Sequence, residues 1–178
     1  MTIKSSPTRY GSVAIAIHWL TAIAIFGMLA SGLSAANSLD QAAKLNLVRV
    51  HAIMGVLVGV LTLLRIVWWL AFDRRPQDAP GMPRWQALAA HLVHYALYAV
   101  ILVMVASGMA TIALSGAGAQ LTGAAPLPLP DFNLAPPFTV HGLVARLLIV
   151  LLIGHIGAAL WHQLIRRDRL LARMGLGR

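Results

Sequence analysis

"TVHGLVARLLIVLLIGHIGAALWHQLIRRDR" (Thr139–Arg169) decides the fold of this 178-residue chain. About 20 apolar residues suffice for a helix to cross a bilayer, and this run is long enough, yet it carries His141, His155 and His162. Ionisable side chains are costly in lipid and mark function by default. His141 and His155 lie 14 residues apart, which leaves them roughly 40° apart on a helix and about 21 Å apart along its axis. They share one face, one near each side of a membrane. His162 continues the stripe, and "RRDR" closes the segment.

Three more stretches have the same character, so four spans are expected at 12–34, 50–71, 87–113 and 140–164. The chain is 59% hydrophobic and 11% charged, which places it among membrane proteins and predicts one membrane domain over residues 1–178. The small residues of "SGLSAANS" at the end of the first span resemble a signal-peptidase site, but the apolar run is longer than a signal core. With no cysteine, disulfides, thiolate metal sites and iron–sulfur clusters are excluded, leaving His as the obvious metal ligand.

The net charge of +9 reflects topology. Lys4, Arg9, Arg74, Arg75, Arg84, Arg166, Arg167, Arg169, Arg173 and Arg178 fall on one side; Lys44 and Arg49 fall on the other, and Arg65 and Arg146 lie inside spans. The positive-inside rule then puts both termini in the cytoplasm. Nucleic acid is not an expected partner. No P-loop, GxGxxG or HExxH pattern is present, and no internal repeat is strong enough to use.

Alternate spans run in opposite directions, so depth selects partners. His51 opens the second span level with His141, and His18 lies at the depth of His155, where His94 of "AHLVHY" competes. Two axial His pairs stacked in one four-helix bundle suit two haems, because neutral imidazole ligates iron well. Gly55, Gly142, Gly154 and Gly157 offer room for a wide macrocycle. Arg65, 14 residues beyond His51, shares its face at the depth of the second pair, placed either to neutralise a haem propionate or to snorkel to the interface. Single intramembrane histidines more often bond a neighbouring helix, a reading open for His91 and His94. A helical transporter without haem is the remaining alternative and predicts a colourless protein.

"RYGSVAIAIHWL" (9–20), "RVHAIMGVLVGVLTLLRIVWWL" (49–70), "AHLVHYALYAVILVMVASGM" (90–109) and "VHGLVARLLIVLLIGHIGAALWHQ" (140–163) together resemble the bacterial cytochrome b561 family, in particular its small di-haem four-helix branch that includes superoxide oxidases. The resemblance implies an all-α, four-transmembrane-helix up-down bundle of the bacterial inner membrane that binds two b-type haems. It assigns His18 with His155 to the inner haem and His51 with His141 to the outer one. It further implies a superoxide:ubiquinone oxidoreductase, with electrons entering at the outer haem and leaving to ubiquinone near the inner one. Other members are cytochrome b subunits relaying electrons between quinone and a partner dehydrogenase or hydrogenase. On this basis His162, Trp161, His91 and His94 are candidates for the quinone pocket, with Arg9 and Arg166 nearby, and Lys44 and Arg49 for superoxide approach. The outer side departs from a positive funnel, since Lys44 and Arg49 are offset by Asp40 and Asp131. Arg146 lies well off the ligand face by helical angle.

Overall fold

The computed structural model describes residues 2–177, and every regular element among them is a helix. Arg178, counted above among the basic residues, lies outside the described residues. The elements are α1 (Ser12–Asn37), α2 (Gln41–Val67), α3 (Arg84–Ser115), a short α4 (Gly118–Thr122), α5 (Pro136–Trp161) and a short α6 (Leu170–Arg173). Single π turns, Trp68–Phe72 and His162–Arg166, prolong α2 and α5. Among the described residues four segments are long and apolar enough to cross a membrane: Ser12–Asn37, Gln41–Phe72, Arg84–Ser115 and Pro136–Arg166. In lipid no water is available to the backbone, so a helix, which bonds its own amides, is the form such runs take.

Local chemistry sets the boundaries. The Asp40 side chain accepts from the Ala43 N–H at 2.7 Å, starting α2 nine residues before the expected span. Lys44 and Arg49 therefore ride on helix rather than loop. Pro83 precedes α3, and Gly116 ends it with φ 76°, a left-handed conformation that costs glycine little. Pro136 opens α5, where its missing N–H leaves nothing unpaired.

Helix α1 leans on α2, α3 on α5, and the two hairpins join through α2 and α3. The core is a thin plug: Ala24, Ile25 and Met28 of α1, Val58 of α2, Val100, Ile101 and Met104 of α3, and Leu148 of α5. Val58 and Leu148 are 0% exposed. Each sits midway in its helix, Leu148 between His141 and His155, Val58 between His51 and Arg65. Large apolar side chains such as Ile23, Phe26, Val150 and Ile153 point outward, as a bilayer favours.

Both chain ends meet on one face. Ser5 donates through its N–H and Oγ to Asp73, Gln77 N–H bonds Pro7 O at 2.9 Å, and Trp19 Nε1–H bonds Met174 O at 3.0 Å. Arg173 donates to Thr8 O at 3.0 Å and also to Gln77 O. This collar of N-terminal segment, α2–α3 loop and C-terminal tail closes the end of the bundle that we call proximal; the opposite end is distal.

Candidate functional site: two histidine levels in the bundle

At the distal level His51 of α2 faces His141 of α5, ring centres 6.0 Å apart. His51 Nδ1 lies 2.8 Å from Met28 O, and His141 Nδ1 lies 3.1 Å from Met104 O and 3.1 Å from Ser107 Oγ. A carbonyl can only accept, so both rings carry the proton on Nδ1 and keep the Nε2 lone pair free. Helical glycines let the rings in: a Cβ on Gly32 would stand 2.8 Å from the His51 ring, and one on Gly108 would stand 3.2 Å from the His141 ring.

These contacts expose a short repeat shared by α1 and α3. "MLASG" (28–32) and "MVASG" (104–108) present the same carbonyl and the same glycine to the two histidines. Ser31 and Ser107 both donate to their methionine carbonyl, at 3.0 and 3.1 Å. His18 and His94 each stand ten residues before the repeated Met, and Arg65 occupies the position after His51 that His155 occupies after His141. The two hairpins thus correspond element for element, which five residues buried in apolar sequence hardly announce until the contacts are seen.

A cavity of about 840 Å³ opens beside the distal pair, within the range of ligand and cofactor sites. Its lining includes Gly32, Gly108, Lys44 and Arg146. Arg146 therefore reaches the distal site despite its helical angle. Arg49 does not line it; the guanidinium is held by the carbonyls of Gln120 and Leu121, both at 2.9 Å, and ties α2 to α4. Gly142, Gly154 and Gly157, marked above as room for a macrocycle, have open space where a Cβ would stand.

At the proximal level His18 of α1 faces His155 of α5 at 6.3 Å between ring centres, while His94 stands 5.3 Å from His155. Arg65 places a guanidinium nitrogen 2.9 Å from His18 Nδ1. A small cavity of about 20 Å³ is bounded by Tyr10, Arg65, Trp69, Arg75, His94 and Tyr98. Thr62 Oγ1 and Arg65 Nε of α2 and Trp69 Nε1 of the π turn that follows it are buried without a partner.

The remaining candidates separate. His162 is 8% exposed and pairs through Nδ1 with Asp168, Trp161 packs edge-on against it at 5.0 Å, and Arg166 stacks over Trp161 at 5.5 Å. His91 instead pairs with Asp78 at 3.0 Å, both side chains about half exposed.

Does the donor set fit the iron of a haem? Metal–imidazole distances are about 2 Å, so two axial imidazoles hold their ring centres about 6 Å apart. The distal pair meets this in spacing and tautomer. The His18–His155 pair meets it in spacing, whereas His94–His155 is closer than an intervening metal allows. Among the described residues no three His, Asp or Glu side chains gather to hold a bare ion. A metal that brings its own in-plane ligands is therefore what these pairs suit.

Residues 9–177 match a family described as prokaryotic cytochrome b561. The chain is 29% identical over 179 residues to cytochrome b561 homolog 2 of Escherichia coli, covering 98% of this chain and 95% of the relative. It is 30% identical over 178 residues to cytochrome b561 homolog 1 of the same organism, covering 93% and 96% respectively. No solved structure matches it significantly.

Proposed function

The chain belongs to the prokaryotic cytochrome b561 family of haem b membrane electron-transfer proteins, and from that premise we propose that it binds two haems and passes electrons from superoxide to ubiquinone. The observation carrying this reading is the pair of histidine couples at axial spacing, 6.0 and 6.3 Å, on opposite sides of the Val58–Leu148 plug. His51 and His141 hold the distal haem, His18 and His155 the proximal one. The basic residues at the proximal end support a cytoplasmic position for both termini in the inner membrane, which makes the distal level the outer one.

When bound, haem supplies one-electron storage at each level. His51 with His141 and His18 with His155 would each hold a haem on two imidazoles, so superoxide and quinone would exchange electrons with it without binding the metal. Lys44 and Arg146 at the distal cavity favour an anion there. Two superoxide ions yield two dioxygen molecules and two electrons, and ubiquinone takes those electrons with two protons to become ubiquinol. The Val58–Leu148 plug keeps water from the path between levels. At the proximal edge buried His162, paired with the more exposed Asp168 and beside Trp161, is suited to hold and pass a proton to a quinone oxygen. His91, engaged by Asp78, is peripheral to that pocket.

A second reading has its own support. Arg49 is spent on the α4 carbonyls, and Asp131 also lines the distal cavity, so the mouth is less positive than a superoxide funnel would be. A cytochrome b subunit serving a partner dehydrogenase or hydrogenase would need no such funnel. Purified protein with two haems, exposed to a superoxide source, should show haem reduction, followed by quinol formation on adding ubiquinone. Haems that stay oxidised under superoxide but are reduced by quinol would favour the subunit reading.

A further inference from the structure

As they stand, His18 and Arg65 are arranged against iron binding. A guanidinium has only donors and keeps its proton in proteins, so at 2.9 Å His18 Nδ1 must accept. The ring proton then sits on Nε2. Neither ring nitrogen has a lone pair to offer a metal, the reverse of His51 and His141, whose Nδ1–H groups face carbonyls. Close by, Arg65 Nε and Trp69 Nε1 are buried donors without an acceptor, and both line the small proximal cavity with Arg75. Buried, unpaired donors beside two guanidinium groups constitute a seat for a carboxylate, the acceptor whose charge and geometry a guanidinium fits best.

We propose that the proximal site loads by exchange of partners: Arg65 leaves His18 for a carboxylate of the haem, which Trp69 and Arg75 help to hold. Freed of the guanidinium, His18 loses its proton from Nε2 and gains one on Nδ1. Its charge is unchanged, and Nε2 becomes available to iron. This rests on the two-haem reading and adds a selectivity to it. The proximal level admits only a haem with free carboxylates, whereas the distal level, already in the right tautomer, does not depend on them for release of its ligands.

Full-length protein produced without haem, then titrated with haemin or with haemin dimethyl ester, tests this by counting low-spin haem per chain. Haemin should load two per chain and the ester one. In a His141→Ala chain, which retains only the proximal pair, haemin should bind at least tenfold more tightly than the ester. Adding Arg65→Met to that chain should bring the ratio close to one, since nothing then holds His18 in the wrong tautomer. Two esters bound per wild-type chain would overturn the exchange, as would a ratio that Arg65→Met leaves unaltered. Haemin stopping at one per wild-type chain would instead overturn the two-haem reading itself.

Discussion

At the distal level two backbone carbonyls, supplied by the repeated MxASG segments, take the Nδ1 protons of His51 and His141; at the proximal level a guanidinium occupies the same position on His18. The hairpins correspond, but the fourth proximal position is Arg65 where the repeat would have a histidine. One level is thus finished by main-chain groups that belong to the helices, and the other by a side chain that can move. If both pairs hold haem as proposed, equal spacing does not make equal sites: the tautomer set by the neighbour decides whether a ring is ready.

The largest effect is expected from removing one histidine from each level. His141→Ala and His155→Ala should each reduce haem content from two per chain to one, because each ring serves a single level about 21 Å from the other. Haem quantitation with reduced-minus-oxidised spectra reads this. If either variant lost both haems, the levels would be coupled through folding rather than independent.

The glycines probe the distal half more gently. Gly32→Ala would set a methyl 2.8 Å from the His51 ring, and overpacking of this kind costs about 1–3 kcal/mol. Distal haem affinity should fall by roughly tenfold or more on that scale, with the proximal haem unchanged. Gly118→Ala, on α4 and outside the distal cavity lining, would bring its added atom only to 4.0 Å from Ile112; it is the control and should bind both haems as the parent does. A smaller change is expected at Ser107, whose Oγ lies 3.1 Å from His141 Nδ1. Ser107→Ala removes one neutral hydrogen bond worth about 1 kcal/mol, and Ser31→Ala less, since no contact between Ser31 and His51 accompanies the one to Met28. Equal effects from the two serines would mean that the carbonyls alone fix the rings.

These contrasts show what a sequence can carry. The four spans, the stacked histidines and the depth match of His51 with His141 and His18 with His155 follow from hydropathy and helical rise, properties that one helix states about itself. The glycines that matter were not legible in that way. Gly142 and Gly154 stand beside histidines in sequence, but Gly32 and Gly108 stand beside them in space, across a helix interface. Arg49 lies two residues from His51, which suggested a role at the distal mouth; the chain instead brings the α4 carbonyls to it. The MxASG repeat was readable as letters, yet its meaning is a carbonyl aimed at a ring on the next helix, and only packing supplies that.

The proximal collar gives the smallest effect and a pH signature. Partial burial pushes the Asp73 carboxyl up, but hydrogen bonds from Ser5, from the Arg74 N–H and from Trp68 outweigh it and hold the group below the usual carboxylate range. A carboxylate whose folded pKa is depressed contributes stability that is complete above the unfolded value of about 3.9 and is lost as pH falls through the folded one. Asp73→Asn should therefore lower the melting temperature modestly at neutral pH, and the gap to the parent should close on acidification below about pH 4. Because Asp73 ties the N-terminal segment to the end of α2, the same substitution should speed proteolysis near Ser5 without altering the distal haem. A gap that widened toward acid pH would show that the protonated form is the one the collar prefers, contrary to the geometry of its four donors.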